Sequence, residues 1–296
     1  MSPLFSIRSP FDRMIRLARS GAELLDATAR RDIAAFLLSR QQADGGFRGA
    51  GTRSDLYYTL FALAGLQALD TTPANPTPWL DSFGDGKGLD LVHLGALAVC
   101  RSLIPGKPSP EWRQAICARL EAFRQPDGGF ADEPDCQHGT PYGAYLAILA
   151  AGALGQRLPR RGHALAAARL CQTRDGGFAG RPGAAVGTIP ATVAMLILNA
   201  LDWRRPNRQA LAWFERCRRG QVFAAAPDAP LPDLLSTATV LAANRLIHLH
   251  LPVDRKATAT FVESCWDETG GFGAVPAAPP DNEYTFYALL ALGAIA

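Results

Sequence analysis

The chain has 296 residues, of which 48% are hydrophobic and 19% charged, a composition that excludes an intrinsically disordered protein. Its 30 basic and 27 acidic residues leave a formal net charge of +3, so we expect no nucleic-acid partner. The sequence contains no run of about 18 apolar residues and therefore predicts no transmembrane segment.

Residues 1–26 are predicted to form an N-terminal arm with a short helix. Arg8, Arg13, Arg16 and Arg19 alternate there with apolar residues, a pattern that fits either a helix packed on the protein body or weak peripheral contact with a membrane. The same charges interrupt any signal-peptide core, which favours a cytoplasmic location. The six scattered cysteines are predicted to be free thiols.

A repeated motif organises the rest of the chain. Four segments carry a Gly-Gly-Phe turn preceded by Asp or Thr, ending at Phe47, Phe130, Phe178 and Phe272. The phenylalanines are separated by 83, 48 and 94 residues. The two long intervals predict decayed copies ending at Phe83 and Phe223, so the chain has six units.

Each unit has an apolar-periodic helix that leads into the turn and a second helix that follows it. The leading helices are predicted at 27–41, 75–82, 109–124, 160–173, 206–218 and 253–266. The following helices are predicted at 55–69, 89–104, 139–154, 187–201, 233–249 and 281–295. Leading helices carry charges on one face and following helices are apolar nearly all round, which predicts an outer and a buried inner ring of six helices each.

The repeat, the six-unit count and the segment DLYYTLFALAGL at 55–66 resemble the protein prenyltransferase β-subunits and the squalene and terpene cyclases. The resemblance implies an all-α fold, an (α/α)6 toroid, forming one domain over residues 27–296. It also implies that a central cavity takes an isoprenoid or similar apolar small molecule. One such fold hosts several chemistries, so the resemblance is more specific for fold than for function.

The family's catalytic residues are largely missing. The resemblance implies a zinc site built from Asp, Cys and His, whereas the matching positions here are Asp233, Leu235 and Tyr284. A terpene cyclase would place a protonatable Asp at the position of Leu235. The segment 224–232, where the family binds a diphosphate, contains no cation. We therefore predict no cofactor and expect no zinc.

A second, weaker set of metal-ligand types lies before the third inner helix, at Asp135, Cys136 and His138. These side chains are of the kinds that bind zinc, but their spacing matches no known metal motif. An ordinary polar loop is the alternative interpretation.

The inner helices share a pattern of polar and aromatic residues near their start. Candidate catalytic residues are Asp233, Asp281, Glu283 and Tyr284, because a Tyr–carboxylate pair can transfer protons when burial raises the pKa of the carboxylate. Candidate cavity-lining residues are Asp55, Tyr58, Phe61, Asp90, His93, Tyr142, Tyr145, Ser236 and Tyr287. The alternatives are structural: an Asp at a helix start ordinarily caps the helix, and aromatic residues three apart ordinarily belong to the core.

Three functions remain open on the sequence alone. The first is a toroid that binds, and in some form transforms, an isoprenoid. The second is a non-catalytic scaffold for a peptide or protein. The third is a zinc-dependent prenyltransferase with a displaced metal site. The sequence identifies no protein partner.

Overall fold

The computed structural model describes residues 10–132, 136–202, 204 and 208–296. The regular secondary structure of the described chain is helical, apart from one hairpin of two two-residue strands and isolated bridges. The helices are α1 (Pro10–Glu23), α2 (Ala27–Ser39), α3 (Leu56–Ala68), α4 (Thr77–Asp81), α5 (Leu91–Leu103), α6 (Pro110–Glu121), α7 (Pro141–Ala153), α8 (Arg161–Arg169), α9 (Ile189–Leu201), α10 (Arg208–Cys217), α11 (Leu234–Ile247), α12 (Arg255–Ser264) and α13 (Asn282–Ile295). The strands β1 (Arg218–Arg219) and β2 (Val222–Phe223) form the antiparallel hairpin.

The even-numbered helices from α2 to α12 form the outer ring and the odd-numbered helices from α3 to α13 form the inner ring. Each inner helix contacts the next one, and α13 contacts α3, so the inner ring closes. The predicted all-α toroid of six helix pairs is thus confirmed. The inner helices are buried over most of their surface; α3, for example, buries ten residues. This burial follows from their apolar composition on every face.

The Gly-Gly-Phe turn has the same geometry in the four strong copies. Its first glycine adopts a positive φ, +94° at Gly45 and +86° at Gly128, a conformation in which a side chain is strained. The phenylalanine is buried and pairs in an antiparallel bridge with the residue six positions earlier, as in Gln41 with Phe47. The turn therefore reverses the chain after each outer helix and fixes the start of the next inner helix.

A threonine on the inner helix anchors this turn in several repeats. The N–H of Phe47 donates to the hydroxyl of Thr59 at 2.9 Å. The N–H of Phe223 donates in the same way to Thr237 at 3.0 Å. Phe223 lies in the β1–β2 hairpin, so the predicted decayed fifth copy keeps both the reversal and the anchor. Phe83 instead follows α4 in a turn and packs edge-on against Trp79.

Glycine packing joins the last repeat to the first. A Cβ at Gly271 would lie 2.5 Å from the ring of Phe36, and a Cβ at Gly270 would clash with the backbone of Asp32. Phe36 and Asp32 belong to the outer helix of the first repeat. The close approach of repeat six to repeat one therefore requires glycine on the turn.

Helix α1 lies outside the six repeats and across one end of the inner ring. It contacts α3, α7, α11 and α13, which stand on different sides of the ring. Gly21 approaches Leu289 and Gly293 near the end of α13. The helix therefore closes the end of the ring at which the inner helices terminate. One face is buried, with Phe11, Ile15 and Ala18 at 7%, 4% and 0% exposure.

All six cysteines are free. Within the described ranges, no helix combines the length and the hydropathy needed to cross a membrane. The cytoplasmic location stays a prediction.

Candidate active site

A small apolar cavity lies inside the inner ring, against four consecutive inner helices. Its volume is about 100 Å³. The wall consists of aromatic and aliphatic side chains from α3, α5, α7 and α13, and α1 supplies the floor. The lining residues are Phe11, Met14, Tyr57, Leu60, Phe61, Val92, Gly95, Ala96, Val99, Tyr142, Tyr145, Leu146, Leu149, Ala150 and Tyr287.

A buried carboxyl group contacts the phenol of a tyrosine that lines this cavity. The hydroxyl of Tyr57 donates to Oε1 of Glu283 at 2.5 Å. Glu283 is only 8% exposed. Burial raises the pKa of Glu283 to about 7; the hydrogen bond from Tyr57 works against this rise, and the charge of Asp281 adds to it. The carboxyl group therefore exchanges its proton near neutral pH.

The phenol of this pair belongs to a continuous aromatic cluster. The ring of Tyr57 packs edge-to-face on Phe61 with centroids 4.9 Å apart, and Phe61 contacts Tyr287 at 5.5 Å. Burial raises the pKa of Tyr57 far above its ordinary value, and the nearby Tyr287 and Glu283 add to the rise. Tyr57 therefore stays protonated and acts as a fixed donor to the carboxyl group.

Other tyrosine hydroxyls face the same space. Tyr145 donates to Sδ of Met14 at 3.9 Å. Burial, with the charges of Asp132 and Glu283, raises the pKa of Tyr142 to about 12, and burial raises the pKa of Tyr287 well above its ordinary range. These phenols remain neutral, so the cavity presents aromatic faces and weak donors rather than charge.

The predicted aspartates occupy the starts of the inner helices. In Asp55, Asp90, Asp233 and Asp281, Oδ1 accepts the backbone N–H of the residue three positions on. This is the geometry of a helix N-cap. Capping is the alternative to a catalytic or cavity-lining role that the sequence left open for these residues. Each aspartate therefore has a local role that does not depend on a ligand.

Two of these aspartates are half-buried and lie near Tyr284. Burial raises the pKa values of Asp233 and Asp281. Tyr284 lies near both, and burial together with the charges of Glu283, Asp281 and Asp233 raises its pKa to about 12. Ser236 is buried and donates its hydroxyl to Oδ2 of Asp233 at 2.8 Å. The structure thus brings the four candidate catalytic residues to one side of the ring, at α11 and α13.

His93 bridges the starts of the inner helices α3 and α5. Its Nδ1 lies 2.8 Å from Oδ1 of Asp90, and its Nε2 lies 3.3 Å from Oδ2 of Asp55. Burial alone would lower the pKa of His93, but the hydrogen bonds and charges of Asp90 and Asp55 outweigh it and raise the pKa. Tyr58, one helix turn into α3, packs against Gly49 and against the ring of Tyr57.

Of the weak metal candidates, the structure describes Cys136 and His138. Asp135 lies outside the described residues. His138 points Nδ1 to Oδ2 of Asp127 at 3.6 Å, and Cys136 is a half-buried free thiol. Among the residues that the structure describes, no group of three or more His, Cys, Asp or Glu side chains is arranged to hold a metal ion.

Comparison with known proteins decides the family. Residues 14–93 and 92–296 match the model of the prenyltransferase alpha-alpha toroid domain. The chain belongs to this family. No curated protein matches it.

Solved structures share the fold of this toroid. A variant of the type II terpene cyclase MstE from Scytonema, in complex with its substrate geranylgeranyl dihydroxybenzoate, is 15% identical with a TM-score of 0.57, covering 97% of this chain and 98% of that chain. Another variant of that enzyme, in complex with its product merosterolic acid A, is 16% identical with a TM-score of 0.58 over 97% and 98% of the two chains. A protein from Actinoplanes is 16% identical with a TM-score of 0.60 over 91% and 98%. At these identities the likeness is one of fold.

The residues at the positions that the prenyltransferase resemblance assigns to zinc ligands do not fit a zinc ion. Asp233 is engaged with the start of α11 and with Ser236. The side chain of Leu235 offers no ligand atom, and the neutral phenol of Tyr284 replaces the family's imidazole. Zinc in proteins is held by three or four nitrogen, sulfur or oxygen ligands, and one carboxylate does not supply them.

Two parts of the site are missed by reasoning from the sequence. The prediction includes Tyr58 but not its neighbour Tyr57, although Tyr57 and Phe61 stand four residues apart and so share a helix face. It also assigns no role in the cavity to Phe11 and Met14 of α1. The four-residue spacing between Tyr57 and Phe61 could have identified Tyr57. No local sequence pattern marks Phe11 and Met14 as cavity residues.

Proposed function

We propose that this toroid binds the end of an isoprenoid chain in its central cavity and isomerises an alkene of that chain by proton transfer from Glu283. The observation that carries the proposal is the Tyr57–Glu283 pair: a carboxyl group with a pKa of about 7 at the edge of an aromatic cavity. A carboxylic acid that is half protonated near neutral pH is suited to general acid–base work.

The proton transfer is balanced without a further reactant. Protonated Glu283 gives its proton to an alkene carbon, whose π electrons form the new C–H bond and leave a carbocation. The electrons of the broken O–H bond stay on the carboxylate, which keeps the hydrogen bond from Tyr57. Loss of a proton from a neighbouring carbon to the carboxylate restores the acid and leaves an alkene in a new position.

The wall is suited to such an intermediate. Tyr57, Phe61, Tyr142 and Tyr287 present their rings to the cavity, and aromatic faces attract a cation within about 6 Å of the ring centre. Their phenols stay neutral and are poor nucleophiles. Proton-initiated chemistry needs neither zinc nor a diphosphate site, and we propose that none is used.

The type II cyclase of similar fold supplies the first probe. Geranylgeranyl dihydroxybenzoate, geranylgeraniol and farnesol are incubated with the protein, and the extracts are analysed by mass spectrometry for products of unchanged mass and changed retention. We expect product from at least one of them with the wild type and a loss of about 100-fold or more with Glu283→Gln, because general acid catalysis contributes roughly 10²–10⁴-fold.

The control variant is Glu263→Gln, which changes an exposed carboxyl on α12. Activity should fall as pH rises through about 7, because the reactive form of Glu283 is the protonated one. Wild-type protein that neither binds nor converts any of the three probes would contradict the proposal and favour the scaffold alternative. Full activity in Glu283→Gln would refute the assignment of the acid.

A further inference from the structure

The floor of the cavity comes from a segment that is not part of any repeat. Phe11 and Met14 of α1 line the cavity together with side chains of the inner ring. The inner helices supply walls that the six-fold packing fixes, whereas α1 is an added element lying across the ring end. The depth of the cavity is therefore set by the two α1 side chains that point into it.

These two side chains reach opposite walls. The ring of Phe11 stacks on Phe286 of α13, with centroids 6.2 Å apart and planes at 17°. Sδ of Met14 accepts the hydroxyl of Tyr145 of α7 at 3.9 Å. The two side chains therefore bridge α13 and α7 on the α1 side of the cavity. Phe61 also contacts Phe286, with ring centroids 5.9 Å apart.

The helix is held firmly in this position. A Cβ at Gly293 would clash with the carbonyl oxygen of Leu17, and a Cβ at Gly21 would clash with that of Leu289. Farther along α1, Arg19 pairs with Asp70 at 2.7 Å and donates to the carbonyl of Gln67 at 2.9 Å. The backbones of α1 and α13 therefore touch, and the floor cannot sink without separating them.

The resulting space is small for a ligand site. The cavity holds about 100 Å³, whereas an apolar cavity of about 150 Å³ takes up one benzene molecule and ligand pockets commonly measure about 300–1,000 Å³. As it stands, the cavity admits about one terminal isoprene unit.

We propose that Phe11 and Met14 determine the length of isoprenoid chain that the cavity accepts, by forming a floor that truncates it. This inference rests on the proposed function for the identity of the ligand, but the floor itself is a property of the cavity. Shortening either side chain opens the space towards α1, so a longer chain can be buried and the preference shifts to it.

The test uses Phe11→Ala, Met14→Ala and the milder Phe11→Leu in the full chain. Each protein is titrated with geraniol, farnesol and geranylgeraniol, and separately with benzene as a probe that does not depend on isoprenoid recognition. Arg16→Ala, on the exposed face of α1, and Ile116→Ala, which opens buried space in the outer helix α6, are the matched controls. Thermal unfolding checks that each variant is folded.

We expect the alanine variants to shift the preference by about tenfold or more towards the longer alcohol, since burying one further isoprene unit removes more apolar surface from water. They should also bind benzene more tightly than the wild type. Arg16→Ala should change neither property, and Ile116→Ala should leave the length preference unchanged. Phe11→Leu is the milder change, so it still tests the floor if Phe11→Ala detaches α1 from the inner ring.

The two proposals fail in different ways. If neither the wild type nor any variant binds a prenyl alcohol, but Phe11→Ala or Met14→Ala gains benzene binding, the assignment of the floor is supported and the isoprenoid function is wrong. If prenyl alcohols bind to all proteins with one unchanged length preference, the floor assignment is wrong. Folded variants that gain neither benzene binding nor a new preference also overturn it.

Discussion

Replacing Glu283 by glutamine should make folding stability less dependent on pH. Glutamine has the shape of the protonated carboxyl group, and its carbonyl oxygen can accept the hydrogen bond that Tyr57 now donates to Oε1. The variant therefore keeps the contact and removes only the ionisation.

The magnitude follows from the two pKa values. Burial raises the pKa of Glu283 from its ordinary value of 4.5 to about 7. Below about pH 4.5 the carboxyl group is protonated in both the folded and the unfolded chain, and its stability contribution is fully present. As pH rises towards 7 the unfolded chain releases the proton first, so the free energy of unfolding falls. A difference of about 2.5 units corresponds to a loss of about 3 kcal/mol, with little screening because Glu283 is 8% exposed.

The assay is urea unfolding of the wild type, Glu283→Gln and the exposed control Glu263→Gln at intervals from pH 4.5 to 8. We expect the wild type and Glu283→Gln to have similar stability at pH 4.5. At pH 8 the glutamine variant should be more stable by up to about 3 kcal/mol. The control should follow the wild type throughout. Parallel curves for all three proteins would refute the raised pKa of Glu283 and remove the basis for its role as an acid.

Three further substitutions test the surrounding structure. Tyr57→Phe removes a donor that holds the carboxyl pKa down, so the midpoint of the same pH series should move above about 7; an unchanged midpoint would show that the bond does not form. Thr237→Val leaves the buried N–H of Phe223 without its acceptor and should lower the free energy of unfolding in urea by about 1–3 kcal/mol; a smaller effect would mean that the turn is not anchored there. Gly293→Ala places a methyl group on the carbonyl of Leu17 and should release α1, seen as faster proteolysis within residues 10–23 than in Gly152→Ala, a glycine with open space around it. Equal cleavage rates would contradict the tight packing of α1.

The repeat pattern gives most of the fold. The Gly-Gly-Phe turns require a positive φ at one position, and the aspartates at 55, 90, 233 and 281 supply N-cap oxygens within three residues of the helix start. These are local preferences of the backbone, readable from neighbouring residues. Together with the apolar inner helices, they are enough to predict the number of units, the helix boundaries to within a few residues, and the two rings.

The contact between Tyr57 and Glu283 depends on closure of the inner ring. Tyr57 and Glu283 are separated by 226 residues, and no local pattern relates the first repeat to the last. Their meeting requires the packing of Gly271 onto Phe36 and of α13 onto α3. The raised pKa of Glu283 likewise comes from burial, which is a property of the assembled ring.

The same distinction holds for the floor. The sequence predicts a short amphipathic helix in residues 1–26 and leaves open whether it packs on the body or meets a membrane. Only the tertiary structure places Phe11 and Met14 under the cavity, because that position depends on two glycines, Gly21 and Gly293, that let distant backbones touch. The sequence by itself determined the repeating architecture through short-range hydrogen bonding and periodicity. The site was decided by long-range packing, which brings together side chains that no local preference connects.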